Sequence, residues 1–139
     1  MDFSELTHQT EIRDSLDKIL TEHCSQERLK EYDSNFKHDK TLLSLLSSNG
    51  YLGLGLNEKY GGSGEDLYDL GILFELLGYH AAPLNLSGCL VDVAQTIQKF
   101  SNEESCKEIL GSIIAGKIYT SAILEPSNQD PENPITKAK

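Results

Sequence analysis

The chain is organised around residues 45–86, LLSSNGYLGLGLNEKYGGSGEDLYDLGILFELLGYHAAPLNL. Asn49-Gly50 ends a leucine-rich run, because glycine tolerates the left-handed conformation that closes a helix. Residues 52–56, LGLGL, predict an extended segment whose glycines allow close approach of other backbone. Residues 59–64, KYGGSG, predict a tight turn. The stretch therefore predicts a helix end, a glycine-rich loop and the start of a new helix.

The segment after the loop predicts the central helix of a bundle, over about residues 66–80. Asp66 is placed to cap it. Its apolar residues are Leu67, Leu70, Ile72, Leu73, Phe74, Leu76 and Leu77. A helix that is apolar nearly all round belongs in the middle of a bundle. Glu75 is the acid in its interior, and because a buried charge needs a partner, we expect an Arg or Lys to pair with it.

Three amphipathic helices are predicted before this central helix. Ser4 is a candidate cap for a helix over residues 5–24, in which apolar residues recur at helical spacing. Ser25 is a candidate cap for a second, weaker helix. Asp39 opens a third, which ends at Asn49-Gly50.

Two further helices are predicted after the central one. Pro83 can begin the first, because proline is tolerated in the first turn of a helix. Ser101 and Glu104 form the pattern of a capping box for the second, which we expect to break at Gly111 and to continue to Gly116. The sequence thus predicts an all-α bundle of about six helices.

The pattern changes at Lys117. Residues 118–124, IYTSAIL, are rich in β-formers and predict a strand, followed by a loop that contains three prolines. A lone strand is marginally stable. We therefore expect a helical domain over residues 1–116 and, over residues 117–139, a short C-terminal β segment that is the truncated start of a β-domain.

Composition excludes several classes of protein. The chain has 139 residues, enough for one domain with a core, and a formal net charge of −10 without a basic cluster, which argues against nucleic-acid binding. No apolar run approaches the roughly 20 residues of a membrane span, and the N-terminus lacks a signal-peptide core. Cys24, Cys89 and Cys106 are odd in number and widely spaced, which suits a reducing cytoplasm, and we expect two of them to fill core volume.

The order of these features resembles the N-terminal helical domain of flavin-dependent acyl-CoA dehydrogenases. The family's loop P-E-x-Y-G-G-x-G corresponds to residues 57–64, NEKYGGSG, with Asn57 in place of the proline. The family's helix ending E-E-L-G corresponds to residues 75–78, ELLG, with Leu76 in place of the second acid and Ala82-Pro83 following. The resemblance covers most of the chain and keeps its order.

The resemblance implies an oxidoreductase of lipid metabolism that oxidises the Cα–Cβ bond of an acyl-CoA thioester. A carboxylate base removes the α-proton while a hydride passes to FAD. In most of the family that base lies in a C-terminal helical domain, so we assign no catalytic residue to this chain and expect it to be inactive alone. The resemblance also implies homo- or hetero-oligomers of such subunits and an electron-transfer partner.

Two groups of site residues follow from the resemblance. In family members the helix that begins near Pro83 supplies part of the acyl pocket. The matching candidates are Leu84, Asn85, Gly88 and Cys89, with packing of the helix onto its neighbours as an equal alternative. The turn at residues 123–126, ILEP, resembles the family's flavin-contacting T-E-P-x-x-G-S-D segment. The matching cofactor candidates are Ser121, Ile123 and Leu124.

This flavin turn departs from the family pattern. Leu124 stands in place of a hydroxyl residue, and residues 127–130, SNQD, stand in place of a glycine-containing turn. A first alternative is therefore a weakly flavin-binding or non-catalytic partner subunit of a heteromeric dehydrogenase. A second is a helical interaction module with no redox role, which the exposed edge of a lone strand disfavours. No His or Cys spacing predicts a metal site, and the glycine loop lacks the Lys-Ser ending of a P-loop.

Overall fold

The computed structural model describes residues 4–35, 38–64, 66–122, 125, 128, 130 and 132–137. Its α-helices are α1 (Thr7–His23), α2 (Gln26–Asn35), α3 (Lys40–Ser48), α4 (Leu67–Tyr79), α5 (Ala94–Phe100) and α6 (Glu103–Ile114). Two single 3-10 turns, Tyr51–Gly53 and Glu58–Tyr60, lie between α3 and α4, and a π-helix, Gly88–Val93, leads into α5. The described residues contain no sheet, which confirms the predicted all-α bundle of six helices.

The core of the bundle draws on most of these helices. Fully buried side chains in its helices include Leu16 and Leu20 of α1, Leu42 and Leu46 of α3, Ile72 and Leu73 of α4, Leu90 of the π-helix, and Leu110 and Ile113 of α6. Cys89 and Cys106 are also buried, as two of the three cysteines were expected to be. Burial raises the pKa of the Cys89 thiol, which keeps it neutral. No helix in the described ranges is long and apolar enough to cross a membrane.

The glycine-rich loop is compact rather than extended, so the predicted extension over residues 52–56 is wrong. Tyr51–Gly53 form a 3-10 turn, and the Leu56 N–H donates to the Gly53 carbonyl at 3.2 Å. The expected close approach of backbone is confirmed, because a Cβ at Gly62 would lie 2.1 Å from the Leu56 carbonyl oxygen. Local hydrogen bonds and two side chains of α5 hold this loop: the Gln95 amide donates to the Gly55 carbonyl at 3.0 Å, and Gln98 accepts from the Asn57 N–H at 2.8 Å.

Helix α4 packs mainly on α1 and begins at Asp66, whose carboxylate accepts from the Tyr68 N–H at 2.8 Å. Only one face of α4 is buried. Leu67, which lies outside that face, is 60% exposed. Glu75 lies on the exposed face and pairs with Arg13 of α1 at 2.8 Å. The predicted cationic partner is thus confirmed, and the predicted burial of Glu75 is wrong because the face of α4 that carries Glu75 is exposed.

Asp39 joins three parts of the fold. Its carboxylate caps α3 by accepting from Thr41 and Leu42 N–H groups at 3.0 Å, and pairs with Arg28 of α2 at 2.7 Å. Its own N–H donates to the Pro83 carbonyl at 3.3 Å. The predicted start of α3 at Asp39 is therefore confirmed. Asp39 also ties the turn at residues 81–85 to α2 and α3.

Other predicted helix boundaries move by a few residues. Helix α1 starts at Thr7 with Leu6 at its cap position, because the Gln9 side chain accepts from the Leu6 N–H at 3.0 Å. The Ser25 hydroxyl accepts from Arg28 N–H at 3.4 Å, which confirms the predicted start of α2. The helical segment expected at Pro83 begins instead at residue 87, after a turn in which the Leu84 N–H donates to the Ala82 carbonyl at 2.7 Å.

The start of α6 and the segment after it also differ from the prediction. Asn102, not Ser101, caps α6, and the helix runs through Gly111 without a break. Residues 118–122 form no strand, and residues 123 and 124 of the predicted strand lie outside the described residues. A strand needs a ladder partner, and the described residues show only an isolated bridge between Glu125 and Asn128.

Candidate functional site

An open cavity of about 650 Å³ lies between α2 and the turn at residues 81–85. Its apolar wall is formed by Leu29, Tyr32, Ala81, Ala82, Pro83 and Leu84. Its polar rim is formed by Lys30, Asp33, His38 and Asn85. Volumes of about 300–1,000 Å³ with a mainly apolar lining are typical of small-molecule sites. The cavity is therefore one place in the described part of the fold where a ligand of that size fits, and a second cavity of about 780 Å³ lies between α4 and the π-helix and α5.

The walls of this cavity are held by the contacts of Asp39 and Arg28. Arg28 pairs with the buried Asp39 and also lies over the Tyr32 ring, 5.6 Å from its centroid. The Asp39 N–H holds the opposite wall through Pro83. Burial alone would raise the pKa of Asp39, but the hydrogen bond from the Leu42 N–H and the pairing with Arg28 outweigh it, so the pKa lies below its ordinary value.

The four candidate substrate residues fall into two groups. Leu84 and Asn85 both line the cavity. Cys89 does not, because its buried sulfur accepts from the Tyr119 N–H at 3.4 Å and faces the segment after α6. A Cβ at Gly88 would lie 3.9 Å from Asp92 Oδ2 and 4.0 Å from Thr120 Oγ1, so Gly88 also faces that segment. Leu84 and Asn85 therefore lie together at the cavity, whereas Gly88 and Cys89 lie apart from it.

The candidate cofactor residues are only partly described. Ser121 is half-buried, and its hydroxyl donates to Asp92 at 3.4 Å. Ile123 and Leu124 lie outside the described residues. Among the described residues, Ser121 contributes one hydroxyl next to the π-helix. This is compatible with one contact to a flavin and is too little to hold the cofactor without further groups.

One cluster with metal-ligating groups joins the N-terminal parts of α1 and α4. Ligand atoms of His8, Asp66 and Asp69 lie within 4.8 Å of one another, a proximity that sequence spacing does not reveal. Asp69 accepts from the Gln9 amide at 3.1 Å, and Asp66 caps α4. Helix capping and the contact between α1 and α4 account for both carboxylates without an ion.

Sequence reasoning missed the contribution of α2 to the cavity. Leu29 and Tyr32 are ordinary apolar positions of a weak amphipathic helix, and Lys30 and Asp33 are ordinary charges of its wet face. They approach residues 81–85 through tertiary packing. No local motif could have indicated that approach.

The fold defines a six-helix domain with a ligand-sized, mainly apolar cavity, and comparison with known proteins identifies its family. The family described as "Acyl-CoA dehydrogenase, N-terminal domain" matches residues 7–117. The chain therefore belongs to the acyl-CoA dehydrogenase family, and the matched part is the N-terminal domain.

A solved structure described as "Tcur3481-Tcur3483 steroid ACAD G363A variant" is similar to this chain, with 31% sequence identity and a TM-score of 0.80. The alignment covers 91% of this chain and 35% of that one, so the chain spans about a third of the solved relative's length. A search of curated proteins found no match.

Proposed function

We propose that this chain is the N-terminal part of an FAD-dependent acyl-CoA dehydrogenase, which catalyses α,β-oxidation of an acyl-CoA thioester. The observation that carries the proposal is the cavity that contains Leu84 and Asn85 in a domain of that family. In this proposal the chain binds and orients the acyl group against an apolar wall. The catalytic base lies outside these residues.

Bound FAD would supply the acceptor for the β-hydride. Ser121, Ile123 and Leu124 are the residues of this chain that we propose support it. Support comes from the family match and from the Ser121 hydroxyl beside the π-helix. Apolar side chains in the acyl pocket would exclude water, which strengthens electrostatic interactions at the reacting carbons.

The similar solved protein is described as a steroid enzyme. By analogy we propose a bulky acyl-CoA as substrate. We further propose a cytoplasmic homo- or hetero-oligomer of dehydrogenase-type subunits that passes electrons to a partner protein. The family match supports the assignment to dehydrogenase-type subunits.

A second candidate function is a partner subunit that binds flavin weakly in a heteromeric dehydrogenase. The sequence observation that favours it is Leu124 at the position of the family's hydroxyl residue. A branched apolar side chain offers no hydrogen bond to the flavin edge. In that case most flavin contacts would come from the other subunit.

The visible flavin spectrum of the full-length protein distinguishes these functions, measured on the protein purified alone and again with any co-encoded homologue. Stoichiometric flavin on the isolated protein, reduced when an acyl-CoA is added, is the result expected of a self-sufficient dehydrogenase. Flavin in the mixture alone would establish the partner subunit. Flavin in neither preparation would refute both and favour a helical interaction module.

A further inference from the structure

The segment that follows Ser121 is held at its far end by the Glu125 carboxylate. This carboxylate accepts hydrogen bonds from the Ile135 N–H at 2.8 Å, from the Thr136 N–H, and from the Asn128 side-chain amide at 2.9 Å. A hydrogen bond with the Thr136 side chain and the backbone N–H groups lower the pKa of Glu125 to about 2, so the group is charged at neutral pH. Because hydrogen bonds to a charged acceptor are stronger than those between neutral groups, they hold Glu125 against a part of the chain ten residues away.

The Asn128 side chain extends this network along the loop. Its amide also donates to the Asn133 carbonyl at 2.7 Å, and its own carbonyl oxygen accepts from the Asp130 N–H at 3.0 Å. The Asp130 carboxylate in turn accepts from the Glu132 N–H at 3.0 Å. Asn and Asp side chains commonly form turns in this way. None of the described residues from 125 to 137 has a positive φ, so these side chains order them without the glycine of the family's turn.

The near end of the segment is attached to the helical bundle. The Tyr119 and Ser112 hydroxyls share a hydrogen bond of 2.7 Å, and the Ser121 hydroxyl donates to Asp92 at 3.4 Å. Three residues separate Ser121 from Glu125, and they include the other two cofactor candidates. The chain is therefore anchored on both sides of these candidates. A binding segment that is already ordered loses less conformational entropy when its ligand binds.

We infer that Glu125 is a positioning residue for FAD: its carboxylate holds the segment that begins at Ser121 in the conformation that contacts the cofactor. Glu125 acts through that segment rather than by a contact of its own. The inference rests on the proposed function, in which this segment supports FAD. It assigns to Glu125 and Asn128 the ordering of a turn whose sequence at residues 127–130, SNQD, departs from the family pattern. The family match alone does not give this role.

Titration of the full-length protein with FAD, after its flavin has been removed, tests the inference. Quenching of flavin fluorescence gives the dissociation constant, and the measurement uses the protein alone or with its co-encoded homologue, whichever preparation binds flavin. We expect Glu125→Ala to weaken FAD binding by about tenfold, because the cofactor must then order the segment itself. Glu125→Gln keeps one acceptor oxygen and should show a smaller loss. The urea midpoint of the flavin-free protein should not change, because the loop lies outside the helical core.

The matched control is Glu132→Ala. It removes the same charge from the same loop, its side chain is exposed, and its backbone N–H to Asp130 is retained. It should change the FAD affinity by less than about twofold. Asn128→Ala should weaken FAD binding, and the double variant with Glu125→Ala should be little weaker than Glu125→Ala alone, because the two residues act in one network.

Wild-type FAD affinity in Glu125→Ala, or equal losses in Glu125→Ala and Glu132→Ala, would overturn the inference while the proposed function stands. A loss of affinity accompanied by a fall in the urea midpoint of the flavin-free protein would overturn it as well, because Glu125 would then serve the general stability of the fold. If the wild-type protein binds FAD neither alone nor with its homologue, the proposed function fails and the inference fails with it.

Discussion

At the scale of single residues, Asp39 stabilises the fold through several interactions at once. It has no exposed surface, and its carboxylate accepts hydrogen bonds from two backbone N–H groups and pairs with Arg28. Its pKa lies below the ordinary value of 3.8, because these interactions outweigh the effect of burial. A lowered folded-state pKa means that the stabilisation is fully present above that ordinary value and is lost as the pH falls through the folded-state pKa.

We expect Asp39→Ala to lower the free energy of unfolding by about 3–5 kcal/mol, because it removes a helix cap and leaves the Arg28 charge without its partner. Urea denaturation at neutral pH measures this loss. Repeating it in acid should show a loss that shrinks as the pH falls below 3.8 and disappears below the lower folded-state pKa, where the wild-type carboxylate is protonated in the folded protein as well. The control is Lys107→Ala, which removes an exposed pair with Glu103 and should cost no more than about 0.5 kcal/mol. A loss below about 1 kcal/mol for Asp39→Ala would contradict the assigned role.

At the scale of helices, capping residues predicted the starts of α3 and α4 well and the starts of α1 and α6 less well. Ser101 and Asn102 are both good capping residues, and sequence alone gives no reason to prefer the second. The structure shows the reason, because the Ser101 N–H donates to the Ile97 carbonyl at 3.0 Å and so ends α5. Asn102 is then free to accept from the Ser105 N–H at 2.8 Å.

This assignment predicts different costs for two neighbouring substitutions. Asn102→Ala should lower the free energy of unfolding by about 1 kcal/mol, because it leaves the Ser105 N–H without its acceptor. Ser101→Ala should change it by less than about 0.5 kcal/mol, because the contribution of Ser101 to α5 comes from its backbone. Urea midpoints of the two variants measure the difference. If Ser101→Ala cost more than Asn102→Ala, the result would support the capping box predicted from the sequence.

The π-helix before α5 is a feature that periodicity could not predict. Apolar residues in this part of the chain fit an ordinary α-helix starting at Pro83, and one residue added to a turn shifts their phase by too little to detect. In the structure the π-helix buries Cys89 and Leu90 and turns Asp92 toward Ser121. The orientation of Gly88 and Cys89, away from the cavity, follows from this local geometry.

At the scale of the whole molecule, the position of α4 sets which of its leucines stabilise the fold. Leu73 has no exposed surface, whereas Leu67 at the start of the helix is 60% exposed. The sequence predicted burial all round α4, because nearly every position is apolar. A bundle of this size covers only one face of α4 among the described residues.

We expect Leu73→Ala to lower the free energy of unfolding by about 2–5 kcal/mol, because it leaves a cavity in the core. Leu67→Ala makes the same chemical change on the same helix and should cost less than about 0.5 kcal/mol. Urea denaturation of both variants compares the two sites directly. Similar losses at the two sites would indicate that the exposed face of α4 is covered in the native protein.

The candidate site was predictable in part. Leu84 and Asn85 were identified through a family resemblance and line the cavity. Cys89 was identified in the same way but is buried against Tyr119. Ser121 can be located beside Asp92, and its proposed contact with FAD stays a prediction.

The sequence by itself determined the helical class, the family and most helix starts, because periodicity, capping residues and glycine turns act over a few neighbouring residues. Tertiary structure decided the one-sided burial of α4, the partner of Glu75 and the cavity between α2 and residues 81–85. These features join positions tens of residues apart, such as Arg13 with Glu75 and Asp39 with Pro83. Their physical origin is long-range packing, and no local pattern specifies which surfaces of the helices come into contact.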